Sequence, residues 1–135
     1  MIQGIQSTQV DEVWADVEHY INRSLKYGLG EYEAEDIKEL CKARQMQLWI
    51  MFDGKVKGAI VTQILKYPQF SILLGLLISA DNFIEWRDKV DETLIGFGKD
   101  KDCKYLEFFG RKGWGNYLKD INYKEQVRMF SKEIV

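Results

Sequence analysis

The residues best suited to chemistry fall in a few short stretches. Gly110-Arg111-Lys112-Gly113-Trp114-Gly115 is the most singular of them. Arg111 offers a planar fork for a carboxylate or phosphate, and Trp114 offers a stacking face. The stretch therefore reads as a binding loop with Arg111 and Trp114 as interaction residues. The competing reading is a tight turn in which Trp114 opens the inner face of a last helix. Asp81-Asn82 precedes an amphipathic segment, and unpaired N–H groups at such a helix start attract anions. The approach to it has no glycine and carries a carboxylate. Glu107 sits between Leu106 and Phe108, where a carboxylate is a base candidate if buried and a solvated side chain otherwise.

Other polar residues give less. Thr62 and Gln63 interrupt an apolar run and are candidates to line a groove, although strand alternation accounts for one of them. His19 is the only histidine, lies off the apolar helix face, and shows no partner for general-base work. Glu31, Glu33, Glu35 and Asp36 lack the spacing and central glycine of a calcium loop and suit a helix start. No nucleophile–base or metal-ligand constellation is present, so neither a metal nor a catalytic set is expected.

The elements that must position these residues follow from periodicity. Ile2 to Gln6 reads as a short strand. Thr8 and Asp11 resemble a capping box, and Val10, Val13, Trp14, Val17, Ile21 and Leu25 share one helical face. That helix should stop near Tyr27-Gly28-Leu29-Gly30, where two glycines suit a C-cap. A second helix runs from about Glu33, with Ile37, Leu40 and Cys41 inward. Gln47 to Phe52 is a strand buried on both faces, and Asp53-Gly54 turns it into a return strand, Val56 to Leu65. Tyr67-Pro68-Gln69 turns again into Phe70 to Ser79, giving an antiparallel meander. Phe83, Trp86, Val90, Leu94 and Phe97 form a helix from Asn82, with Gly96 and Gly98 marking its weakening end. Cys103 to Phe109 is a strand, a short helix follows to about Ile121, and Gln126 to Ile134 reads as a final strand.

Composition sets the bounds. A chain of 135 residues with 46% hydrophobic and 30% charged residues is expected to form a single domain, residues 1–135. Seven Phe, seven Tyr and four Trp favour a filled core or an aromatic contact surface, with Trp114, Tyr117 and Tyr123 as contact anchors. A net charge of −2 gives no reason to expect nucleic-acid binding. The longest apolar run, Ile72 to Ile78, is far short of the about 20 residues a membrane span needs, and no signal peptide is apparent. Cys41 and Cys103 are expected to remain free thiols.

The order strand, helix, helix, three antiparallel strands, helix, strand, short helix, strand resembles the GNAT (GCN5-related N-acetyltransferase) superfamily. The resemblance implies an α+β fold: a mixed central sheet, part antiparallel meander and part splayed parallel pair, flanked by helices. It also implies an opening between Phe70–Ser79 and Cys103–Phe109, where that family holds acetyl-CoA with its pyrophosphate on the third helix. Ser79 and Asn82 would be the cofactor-binding positions. The family's loop has Gln or Arg followed by two glycines, whereas Ile78-Ser79-Ala80-Asp81-Asn82-Phe83 has none of these. Asp81 would stand beside two phosphates. The family's thiolate-reprotonating Tyr aligns with Leu118, and Tyr117 next to it is rotated by about 100° along a helix. Asn122, in Leu118-Lys119-Asp120-Ile121-Asn122-Tyr123, takes a position usually held by Gly, as Asn's tolerance of a left-handed conformation permits.

A narrower resemblance rests on Val61-Thr62-Gln63-Ile64, Tyr67-Pro68 and Gly110-Arg111-Lys112-Gly113-Trp114. These are similar to small GNAT-like proteins of tailed bacteriophages, often encoded beside virion structural genes. The resemblance implies a non-catalytic virion-associated or interaction protein without a cofactor, found in the virion or host cytoplasm. Its partners would be other phage structural proteins or a host protein, with a homo-oligomer possible and no nucleic acid or membrane involved. The alternative is an acetyl-CoA-dependent N-acyltransferase in which Glu107 or a water is the base and Tyr117 or Tyr123 the proton donor. A host-directed inhibitor would use the same surface.

Overall fold

The computed structural model describes residues 1–110 and 113–135. Its elements are β1 (Ile2–Ile5), α1 (Val10–Leu25), α2 (Ala34–Lys42), β2 (Gln47–Phe52), β3 (Val56–Lys66), β4 (Ser71–Ala80), α3 (Phe83–Asp100), β5 (Cys103–Phe108) and α4 (Gly115–Leu118). Short 3-10 turns cover Ser7–Gln9 and Lys119–Ile121. The strands form one sheet in the order β1-β2-β3-β4-β5. All neighbours run antiparallel except β4 and β5, which are parallel. α3 supplies the crossover that a parallel pair requires.

Alternation along the strands sends side chains to two cores. Leu48, Ile50, Ala59 and Val61 meet Val10, Trp14, Val17 and Ile21 of α1 and Ile37 and Cys41 of α2. Trp49, Met51, Ile60 and Leu73 face the other way, onto Trp86, Val90 and Leu94 of α3. β2 is thus buried on both faces, as its unbroken apolar run predicts. Thr62 belongs to this interior and lines no groove. It is fully buried, accepts a hydrogen bond from Trp49 Nε1 at 3.0 Å, and donates one to Gln47 Oε1 at 2.8 Å. Gln63 is half-buried.

Local signals hold in most places. Gly54 takes a left-handed φ of 72° in the β2–β3 turn, and Tyr67 N–H donates to Phe70 C=O in the β3–β4 turn. Glu33 and Asp36 close a reciprocal capping box on α2. The box expected at Thr8 and Asp11 does not form: a 3-10 turn occupies Ser7–Gln9, and Asp11 pairs instead with Lys38 and Lys42. α1 ends at Leu25, before either glycine. α3 runs through Gly96 and Gly98 to Asp100 because its packing on the sheet outweighs two weak formers.

The final strand is the main correction. Residues 124–135 contain no strand and are exposed throughout. Their alternating pattern is strand-like, but a strand needs a neighbouring ladder, and no described strand pairs with this segment. Cys41 and Cys103 are free thiols, and burial pushes Cys41 up to about 12. Among the described residues no helix is long and apolar enough to cross a membrane, and no group of His, Cys, Asp or Glu could hold a metal ion.

Candidate functional site

The two parallel strands part company halfway along β4. Their pairing runs from Ser71 opposite Cys103 to Gly75 opposite Phe108 and then stops, while β4 continues to Ala80. The cause is visible on the other side of β4. Val61 and Thr62 are consecutive, yet they face Leu77 and Gly75, which leaves Leu76 as an extra residue. Such a bulge bends its strand and increases local twist. Gly75 marks the vertex. A Cβ there would lie 2.1 Å from Phe108 Cε1, so the ring of Phe108 crosses above a backbone that has no side chain.

The opening beyond Gly75 is lined by Ile78 of β4, by Phe83, Arg87, Val90 and Asp91 of α3, and by Phe108. Its other wall comes from later in the chain: Trp114, Leu118, Ile121 and Tyr123. These side chains fill it. The rings of Trp114 and Phe83 lie 5.3 Å apart, and those of Tyr123 and Phe108 5.8 Å apart. What remains is a cavity of about 10 Å³, the room of roughly one water.

Polar contacts latch the two walls together. Arg87 Nη1 donates to Asp120 Oδ1 and Oδ2 at 3.0 and 3.2 Å, and to the Tyr117 carbonyl at 3.1 Å. The Tyr123 hydroxyl donates to Asp91 Oδ1 at 2.7 Å. Burial, followed by that carboxylate, raises the Tyr123 phenol above its ordinary value. Asn122 stands at φ 71°, in the left-handed conformation expected of it, and turns the chain so that Tyr123 enters the opening.

The helix start at the mouth has its own geometry. Asn82 is left-handed, at φ 53° and ψ 54°, and offers no side-chain cap to α3. A position where Gly would fit without strain is thus held by an Asn. Ser79 is half-buried and pairs with Ala59. Asp81 is tied to α1: Tyr20 donates to its Oδ2 at 2.8 Å, and Arg23 Nη1 to its Oδ1 at 3.3 Å. The hydrogen bond from Tyr20, helped by Arg23, holds its carboxyl below the usual range. Its charge is therefore partly compensated, and the obstacle to a bound anion is weaker than the sequence suggests.

The remaining candidates scatter. Glu107 is exposed on β5 and does not line the opening. Tyr117 is 50% exposed, and its carbonyl accepts a hydrogen bond from Arg87. His19 is exposed beside Tyr20. Trp114 is half-buried against Phe83, and Arg111 lies outside the described residues. Sequence reasoning missed Arg87, Asp91 and Asp120. Charged residues on a helix and a turn 33 positions apart give no sign of meeting. A larger concavity of about 220 Å³ lies away from the splay, between β1 and the start of α1, and Glu12 is the only ionisable side chain lining it.

No protein-family model and no curated protein matches the chain. Solved structures do. A probable acetyltransferase superposes with a TM-score of 0.76 at 8% identity, over 100% of this chain and 98% of that one. An aminoglycoside acetyltransferase from an uncultured soil metagenomic sample, in complex with sisomicin, gives 0.71 at 12% identity over 100% and 96%. A Trypanosoma brucei acetyltransferase gives 0.65 at 10% identity over 99% of both chains. The chain has the GNAT-like acetyltransferase fold, a mixed five-stranded sheet with helices on both faces. At these identities the likeness carries the fold and leaves activity open.

Proposed function

We propose that this is a GNAT-fold protein that acts by binding a protein partner and does not transfer acetyl groups. The observation that carries the reading is the filled opening. The place where the fold would admit acetyl-CoA is occupied by Trp114, Leu118, Ile121 and Tyr123 and latched by Arg87–Asp120 and Tyr123–Asp91. The residues present do not fit a pantetheine arm in this arrangement, and Leu118 supplies no proton where the fold's usual Tyr would. The absence of glycines from Ile78 to Phe83, at the entry to α3, points the same way.

The resemblance to small GNAT-like proteins of tailed bacteriophages supplies the setting: the virion or the host cytoplasm, with a phage structural protein or a host protein as partner. Arg111 and Trp114 are the interaction residues of this proposal. A second reading, an acetyl-CoA-dependent N-acyltransferase, is favoured by the splay itself and by the acetyltransferases that share the fold. It requires residues 114–123 to withdraw from the opening.

Full-length protein incubated with radiolabelled acetyl-CoA and a panel of amines tests the proposal. No transfer above the uncatalysed rate supports it, and sustained transfer to any amine overturns it.

A further inference from the structure

The β3–β4 turn and the start of β5 stand at the far end of the sheet from the opening, since β4 begins beside them at Ser71 and reaches the mouth at Ala80. Three rings meet there. Tyr67 and Phe70 lie 6.1 Å apart, and Phe70 and Tyr105 5.3 Å, both edge to face. The turn fixes the first two: Tyr67 N–H donates to the Phe70 carbonyl at 2.9 Å, and Pro68 between them has its φ locked by its ring. None of the three belongs to either core, and Tyr67 and Tyr105 are each 51% exposed.

Lys104 sits on this cluster. Its Nζ is 5.2 Å from the centre of the Phe70 ring and 5.6 Å from that of Tyr105. Lys66, at the end of β3, pairs with Ser71 in the adjoining row of the sheet. Among the described residues neither lysine forms an ion pair. An ammonium held over two rings is ordered before any partner arrives, and its charge is open to one.

The ammonium also decides what this surface can take. It occupies a face of each ring that a base or a sugar would need for stacking, and a chain of net charge −2 has no field to draw nucleic acid. What stays open is a cation flanked by exposed tyrosines, which suits a carboxylate beside an apolar side chain. Glu107, two residues nearer the opening on the same face of β5 as Tyr105, limits the patch on that side.

We propose that Tyr67, Phe70, Tyr105 and Lys104, with Lys66 at the edge, dock an acidic segment of a protein partner, with a carboxylate on Lys104 and an apolar side chain across the tyrosines. This deepens the partner-binding reading and rests on it, at a surface apart from Trp114. It holds whether or not the opening admits acetyl-CoA, so the acetyl-transfer assay and the binding assay below fail separately.

Fluorescence anisotropy on the full chain tests this, with a fluorescein-labelled random copolymer of glutamate and tyrosine as the probe and labelled oligo(dT) beside it. The native chain should bind the copolymer and release it as salt rises. Lys104→Glu and Tyr105→Ser should each weaken binding roughly tenfold. Lys55→Glu, the same charge change in the β2–β3 turn, should leave it unchanged. All three side chains are exposed, so each variant should melt as the native chain does. A native chain that ignores the copolymer, binding that Lys104→Glu leaves intact or Lys55→Glu weakens equally, or tighter binding of oligo(dT) through the same residues would overturn the proposal. So would self-association of the native chain that Lys104→Glu abolishes, since the occupant would then be a second copy.

Discussion

The ring of Phe108 lies over the backbone of Gly75, with Cε1 2.1 Å from where a Cβ on that glycine would stand. This pair sets the last rung of the parallel ladder and the vertex of the opening. Gly75→Ala should therefore destabilise the protein by about 1–3 kcal/mol through overpacking. Combining it with Phe108→Leu should recover part of that loss, giving a coupling energy in a double-mutant cycle of denaturant melts. Additive losses would mean that the two residues do not share the vertex.

Thr62→Val is close to isosteric yet strands the Trp49 indole N–H and the Gln47 amide oxygen that the hydroxyl now satisfies. Leaving a buried donor unsatisfied costs about 1–3 kcal/mol. Urea denaturation should show a lower midpoint with an unchanged slope.

The Tyr20–Asp81 contact predicts stability changes at both ends of the pH scale. Tyr20 is pushed up to about 12, first by burial and then by its hydrogen bond to Asp81, from an ordinary 10.0. A raised phenol stabilises the fold below pH 10 and loses that contribution as pH rises toward 12. Asp81 is lowered, first by the hydrogen bond from Tyr20, so its contribution is present above its ordinary 3.8 and fades as pH falls below it. Tyr20→Phe should flatten both losses in thermal melts recorded from pH 2 to 12. A variant that melts in parallel with the native chain at every pH would contradict the assignment.

The sequence was most legible where local chemistry decides. β2 occupies Gln47–Phe52 because an unbroken apolar run before Asp53-Gly54 has few other uses. α2 starts at Ala34 because Glu33, Glu35 and Asp36 place acidic residues where a helix start favours them, and Asn122 is left-handed because its short side chain tolerates that conformation. Where a distant neighbour decides, the sequence was silent or misleading. Gln126–Ile134 has strand periodicity and no strand beside it. Thr62 reads as a groove residue until Trp49 and Gln47 are seen around it. The latch of Arg87 to Asp120 joins residues that nothing in sequence associates. That Leu118 helps to close the opening was not legible either.

The central claim, that the opening is closed to acetyl-CoA, is tested most directly by the melting temperature of the full chain with and without millimolar acetyl-CoA. A ligand at one hundred times its dissociation constant stabilises the native state by about 2.7 kcal/mol, which at this size raises the melting temperature by several degrees. The filled opening predicts no rise. Asp120→Ala, which removes the partner of Arg87, should lower the melting temperature slightly and still give no rise, because Trp114, Leu118 and Tyr123 remain packed. A rise of several degrees in the native chain would contradict the account and favour the acyltransferase reading.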